Sequence, residues 1–181
     1  MLARLREAGA LALHGGAFPK PVWLYWLDFV LYPLLAAAII ATDCRSLGWI
    51  GAAASGALLF TFVEYWAHRT VLHRLFFHGS HERHHTHPDE YVVFPIYYTP
   101  AIFSGFFLVL PLPVFAGFVI GYCWFLVWHH VLHHMDLTTW PRPVQRYALW
   151  HLVHHRVDDC NFGITVPLWD FVFRSWRRAA A

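Results

Sequence analysis

Residues 58–85 read LLFTFVEYWAHRTVLHRLFFHGSHERHH. A run of apolar residues ends at the carboxylate of Glu64 and passes directly into His68, His73, His81, His84 and His85. The apolar part belongs to a stretch from about Leu47 to Trp66, close to the ~20 residues a helix needs to cross a bilayer core. A second stretch of that length precedes it, from about Val22 to Thr42. Two shorter ones follow, Tyr98–Leu110 and Pro113–Trp128, joined at Pro111-Leu112-Pro113, a helix break and turn. They read as a hairpin that dips into the membrane or just crosses it. The whole chain of 181 residues is 58% apolar, 19% aromatic and only 13% charged, which marks an integral membrane protein. Its formal charge of +2 is too small to argue for a nucleic-acid partner. Cys44, Cys123 and Cys160 share no metal or redox spacing and suggest no disulfide framework.

Ten of the 15 histidines fall into four clusters: His68 and His73; His81, His84 and His85; His129 and His133; and His151, His154 and His155. Neutral imidazole is the commonest ligand for iron, zinc and copper. On a helix, residues three and four apart share a face, so H-x-x-H-H and H-x-x-x-H are each expected to aim at one point. His68 and His73 are five apart, roughly 140° round an α-helix and about 7.5 Å along it. That pair is expected to reach different metals or to sit where the helix ends. Ten ligands exceed what one first-row ion takes, so two adjacent metals are the economical count. His14, His78, His87, His130 and His134 stand outside the rhythm and read as ordinary hydrogen-bonded histidines. Glu64, one turn before His68, is a candidate carboxylate for orienting that ring.

If all four stretches cross, His68–Glu90, the segment after Trp128 and both termini share one side. Of the 13 Lys and Arg residues, 12 lie there and only Arg45 lies opposite, which places that side in the cytoplasm. The histidine clusters land on it too. One lysine beside twelve arginines, with much alanine, suggests a GC-rich bacterial genome and hence a bacterial inner membrane. The expected layout is a cytoplasmic N-terminal segment, 1–21, and a single membrane domain, 22–181, with histidine boxes at 68–85, 129–133 and 151–155. Leu2–Leu13 fits a short amphipathic surface helix, and no cleavable signal is read in Met1–Pro19. The fold class is therefore all-α, with about four membrane-crossing or membrane-dipping helices under a cytoplasmic helical cap that holds a dimetal histidine site. An interfacial metal site opening toward hydrocarbon suggests a lipid substrate. Attack on an unactivated C–H bond there needs an oxidant that only the metal supplies, and two irons suit a task involving dioxygen. The alternative from another class is a non-catalytic metal-binding or metal-transport protein, although a transporter places its ligands at mid-membrane on broken helices.

Glu64-Tyr65-Trp66-Ala67-His68-Arg69 with His73, then His81-Glu82-Arg83-His84-His85, then His129-x-x-x-His133, then His151-Leu152-Val153-His154-His155 resembles the fatty acid hydroxylase / sterol desaturase superfamily. Asn161-Phe162-Gly163-Ile164-Thr165, followed by Pro167-Leu168-Trp169-Asp170, is similar to the closing signature of that superfamily and leans toward its fatty acid hydroxylase branch. The resemblance implies a membrane-bound di-iron oxygenase that hydroxylates a lipid C–H bond with O2 and two external electrons. Zinc is a possible substitute on purification. It implies the ten clustered histidines as metal ligands. It also implies a separate electron donor of cytochrome b5, ferredoxin or reductase type, since the 181 residues contain no cytochrome b5-like domain. A desaturase, or a carotenoid or sterol hydroxylase, of the same superfamily is the neighbouring alternative.

Overall fold

The computed structural model describes residues 22–43, 46–75, 78–91 and 97–178. The expected N-terminal segment 1–21, with its amphipathic helix, lies outside them. Among the described residues seven α-helices follow in order: α1 (Val22–Asp43), α2 (Leu47–Trp66), α3 (His78–Thr86), α4 (Tyr98–Val109), α5 (Leu112–His134), α6 (Arg142–Arg156) and α7 (Leu168–Val172). Between α2 and α3 the helix continues as a π-helical turn, Ala67–Leu72.

Among the described residues, three helices are long and apolar enough to cross a membrane: Val22–Thr42, Leu47–Leu72 and Leu112–His134, of 21, 26 and 23 residues. At 1.5 Å per residue these lengths are about 31, 39 and 34 Å, against a hydrocarbon core of about 30 Å. The chain is a multi-pass membrane protein. The expected break at Pro111 is present, with Leu110 and Pro111 both extended. The hairpin it makes is lopsided, however. Its first arm, α4, has only 12 residues, about 18 Å. Its second arm, α5, does not stop near Trp128 but carries the third histidine box to His134. The histidines are too few and too neutral to end a helix whose backbone bonds are already made, so the apolar run undercounted it.

The bundle has a clear polarity. The Tyr25 hydroxyl, at the start of α1, is 3.0 Å from His130 Nδ1, near the end of α5, so these helices are antiparallel. At the other end, Tyr32, Ala36 and Ile39 of α1 join Trp49, Ala53 and Phe60 of α2 and Phe115, Phe118 and Val119 of α5 in one buried core, with Phe103 from α4. Asp28, which interrupts the first apolar stretch, is paired: the Tyr122 hydroxyl donates to its carboxylate at 2.6 Å.

α2 and α5 pack against each other most closely. A Cβ on Gly117 would stand 1.7 Å from the Ala53 carbonyl oxygen, and one on Gly56 would stand 1.9 Å from that of Val114. Between membrane helices hydrophobic transfer gives little drive, so association relies on such backbone proximity. This contact sets the spacing of the two helices that deliver His68 and His129. Gly117→Leu should lower the thermal midpoint in detergent by several degrees, since overpacking of this kind costs about 1–3 kcal/mol or more. Gly105→Ala, whose new Cβ would meet nothing within 4 Å, should leave it in place. Equal midpoints for the two variants in a melting experiment would remove the close contact as a determinant of the bundle.

Candidate metal centre

All ten clustered histidines gather at one end of the bundle, where they form two sets. The donor nitrogens of His68, His73, His81, His85 and His154 lie within 4.8 Å of one another, and so do those of His84, His129, His133 and His151. His155 joins the second set through His151, with the two Nε2 atoms 3.2 Å apart. Both sets are buried where it matters: His68, His81, His84, His151 and His154 are all buried.

One sequence expectation is corrected here, and another is decided between its two alternatives. The H-x-x-H-H clusters do not each aim at one point. In α3, His81 and His85 enter the first set and His84 the second; in α6, His151 and His155 face the second and His154 the first. Adjacent residues on an α-helix are about 100° apart, so a neighbouring pair of histidines must diverge, whereas i and i+4 stay together. Each cap helix therefore serves both sets. His68 and His73 do not reach different metals; the other alternative holds, with His73 capping the π-helical turn where the helix ends. The His73 N–H donates to the His68 carbonyl, an i→i+5 bond that closes the π turn. A π turn brings residues five apart back to one face, and the two rings lie 5.2 Å apart in the same set.

The distances test whether a metal fits. In the first set, His81 Nε2 is 2.9 Å from that of His68, 3.0 Å from that of His73 and 3.1 Å from that of His85. Nε2 of His73 is also 3.2 Å from that of His154. In the second set the His133–His151 pair is at 2.8 Å and the His84–His129 pair at 3.2 Å. One nitrogen with three nitrogen neighbours cannot satisfy them by hydrogen bonding, since it carries at most one proton. Two ligands about 2.1 Å from an ion and at right angles to each other are about 3.0 Å apart. The donor sets fit two metal ions.

The loop Cys160–Thr165 orients the first set from behind. His68 Nδ1–H donates to the Phe162 carbonyl at 2.6 Å, and His154 Nδ1–H to the Cys160 carbonyl at 2.7 Å. A carbonyl only accepts, so both rings carry their proton on Nδ1 and turn an Nε2 lone pair inward. The loop is itself held by two buried carboxylates. Glu64 Oε1 accepts from the N–H of Ile164 at 2.5 Å and of Thr165 at 3.0 Å, and its Oε2 accepts from the Thr165 hydroxyl. Asp170 accepts from the N–H groups of Phe162 and Gly163, both at 2.8 Å, and from the Ser175 hydroxyl at 2.7 Å. Glu64 was expected to orient His68 directly. Its carboxylate instead grips the loop, and it reaches His68 only through the Phe162 carbonyl. Gly163 is required by space: a Cβ there would lie 2.4 Å from the Val166 carbonyl oxygen. Asn161, in the left-handed region at φ 54, ties the loop to the Trp150 and Arg177 backbones. The two orienting carbonyls were missed by sequence reasoning because any residue supplies one.

The other histidines stand apart. His78 and His87 are exposed, His130 bonds Tyr25, and His134 packs on Tyr91 at 4.8 Å between ring centroids; His14 lies outside the described residues. Of the remaining acids, Asp158 Oδ1 is 3.1 Å from His85 Nδ1, Asp159 pairs with Arg177 and Asp136 caps a turn at Thr138. Cys160 gives its carbonyl to the centre, while burial pushes its thiol up to about 11 and Sγ donates to the Val157 carbonyl.

A model of the fatty acid hydroxylase family matches residues 53–175, which contain all ten clustered histidines, Glu64 and Asp170. The chain belongs to that family. Its members are oxidoreductases, and this one carries their histidine dimetal site. The dihydroceramide fatty acyl 2-hydroxylase FAH1 of Arabidopsis thaliana is 31% identical over 171 residues, covering 82% of this chain and 69% of its own. The fatty acid 2-hydroxylase of Mus musculus is 29% identical over 210 residues, covering 88% of this chain and 54% of its own. The solved structure of full-length scs7p, in which only the hydroxylase domain is visible, superposes with a TM-score of 0.70 at 24% identity over 87% of this chain and 68% of that one. It shares the fold.

Electrostatics keep the cap histidines of this hydroxylase ready to bind cations. Burial, then the neighbouring His85, lowers His73 to about 4; burial, then His133, lowers His155 to about 2. His81, His84, His151 and His154 are shifted down by burial and then by neighbouring histidines of the two sets. All remain neutral at pH 7 with their lone pairs available. In the unfolded chain the same groups titrate near 6.5. Below that pH the unfolded state takes up protons that the folded state refuses, so stability falls with falling pH. The metal-stripped chain should hold a constant thermal midpoint from pH 8 to about 7, then lose stability progressively toward pH 4. A flat melting profile from pH 8 to 5 would contradict the buried, neutral histidine sets.

Proposed function

We propose that the chain is a di-iron hydroxylase that inserts one oxygen atom of O2 into a C–H bond of a fatty acyl lipid. The observation that carries the proposal is the convergence of ten imidazoles into two donor sets at one end of three membrane-length apolar helices. His68, His73, His81, His85 and His154 would hold one ion, and His84, His129, His133, His151 and His155 the other. An all-imidazole donor set suits iron, with zinc a substitute during purification. When bound, the metal pair supplies the activation of O2 that no side chain can perform.

The protein supplies position and environment. The centre lies where α2 and α5 leave their apolar spans, so an acyl chain can lie along the bundle in hydrocarbon while one of its carbons reaches the histidine sets. Holding that carbon close removes much of the entropic barrier to reaction. The overall change is R–H + O2 + 2e⁻ + 2H⁺ → R–OH + H2O, and the electrons come from a separate donor of cytochrome b5, ferredoxin or reductase type. The similar Arabidopsis and mouse proteins carry names for acyl 2-hydroxylation. This supports an acyl lipid substrate with attack at the carbon beside the carbonyl. The arginine distribution supports a cytoplasmic face for the centre, in a bacterial inner membrane.

Reconstituted with a reductase system, lipid extract and 18O2, the enzyme should place one labelled oxygen in a 2-hydroxyacyl product. Label found only in water beside a new double bond would convert the reading to a desaturase. His84→Ala and His154→Ala should each lower bound metal below about two ions per chain and abolish turnover; full activity in either variant would remove that residue from the centre. For orientation, a cysteine introduced at His87 or Trp140, with Cys44 replaced, should resist a membrane-impermeant thiol reagent in intact cells. Labelling of both from outside would reverse the assigned sidedness.

A further inference from the structure

The two histidine sets match in size, yet their outer nitrogens are treated differently. In the first set, His68 and His154 each donate Nδ1–H to a loop carbonyl, at 2.6 and 2.7 Å. His85 Nδ1 faces the Asp158 carboxylate at 3.1 Å, at ion-pair distance though off the hydrogen-bond angle. In the second set, the Nδ1 atoms of His84 and His151 are buried and have no hydrogen-bond partner among the described residues, while His155 has only the backbone of His85 beside it. A metal draws electron density from a bound imidazole and makes its Nδ1–H more acidic. An acceptor behind that proton therefore strengthens the metal–nitrogen bond and fixes the angle of the ring. Such a partner is typically worth 10–100-fold in metal affinity. A buried Nδ1–H without one contributes nothing and keeps its desolvation cost.

Building on the two-metal reading above, we infer that the two positions are unequal. The first set holds its ion tightly, the second holds an exchangeable one, and Glu64, Asp170 and Asp158 are positioning residues for the first ion alone. Glu64 and Asp170 act at a distance. Between them they accept the N–H groups of Phe162, Gly163, Ile164 and Thr165, and so set the direction in which the Phe162 carbonyl points. Among the described residues, no loop carbonyl accepts from Nδ1 of His84 or His151. As metal becomes scarce the enzyme passes through a one-metal form, with the first set filled and the second empty.

The test is a Co(II) titration of the metal-stripped full chain in detergent micelles, followed by ligand-field absorption and by total bound metal. Two steps are expected, separated by at least about 100-fold in affinity. His84→Ala should delete the weak step and leave the tight one. Glu64→Gln presents N–H donors to the loop N–H groups in place of a carboxylate oxygen, and should weaken the tight step about 10-fold with the weak step unchanged. Should Glu64→Gln fail to fold, Asp158→Asn provides the same readout from an exposed carboxylate. It too should weaken only the tight step, with an unchanged melting temperature for the metal-free chain. Two ions bound with equal affinity would overturn the inequality while leaving the dimetal reading intact. Loss of the tight step in His84→Ala, or an unchanged tight step in both carboxylate variants, would overturn the assignment. Fewer than one Co(II) per chain would overturn this inference together with the dimetal reading.

Discussion

Ten neutral imidazoles turned lone pair to lone pair is an arrangement that repels itself unless a cation stands between them. The rest of the structure is organised around imposing it. Five of these rings are buried and the other five half-buried, which keeps them unprotonated, and two membrane-length helices together with the two cap helices present them at one level. The Nε2–Nε2 separations of 2.8 to 3.2 Å are those of ligands around an ion rather than of partners in a hydrogen bond. Removing any one element that holds a ring would let the set relax outward.

Two kinds of constraint share that task. Below the centre, α2 and α5 approach until Gly56 and Gly117 touch opposing carbonyl oxygens. This fixes how far His68 stands from His129. Such a contact suits a membrane, where packing of small residues replaces the hydrophobic drive available in water. Above the centre, α3 and α6 each send a diagonal pair into one set and the intervening ring into the other. Neither set can form without both cap helices, so the two positions assemble together even where their affinities differ.

The Cys160–Thr165 loop links bundle and cap. It has no regular secondary structure, and its N–H groups from Phe162 to Thr165 are satisfied by Glu64 from the end of α2 and by Asp170 from α7. A buried carboxylate is costly unless several donors surround it. Here each has at least three, and the arrangement returns the two carbonyls that orient His68 and His154. Burial raises Asp170 above the ordinary carboxylate range, while the donors around it oppose that shift.

The sequence by itself determined much of this protein. Apolar runs of membrane length, a proline break at Pro111 and histidine spacings of three and four identify a helical membrane bundle with a metal site, because hydrophobic length and helical period are local properties. The ten rings were legible for the same reason, whereas the signature running from Asn161 to Asp170 was legible only as a resemblance to the family. Only the tertiary structure decided how the rings are divided. Whether His84 joins His81 or His129 depends on the rotation of α3 against α5, and whether His68 joins His73 depends on a π turn that an ideal α-helix conceals. The partner of Glu64 lies 100 residues away, and the oxygens behind His68 and His154 belong to the backbone. A carbonyl carries no residue identity, so its direction is set only when the loop is closed by side chains distant in sequence.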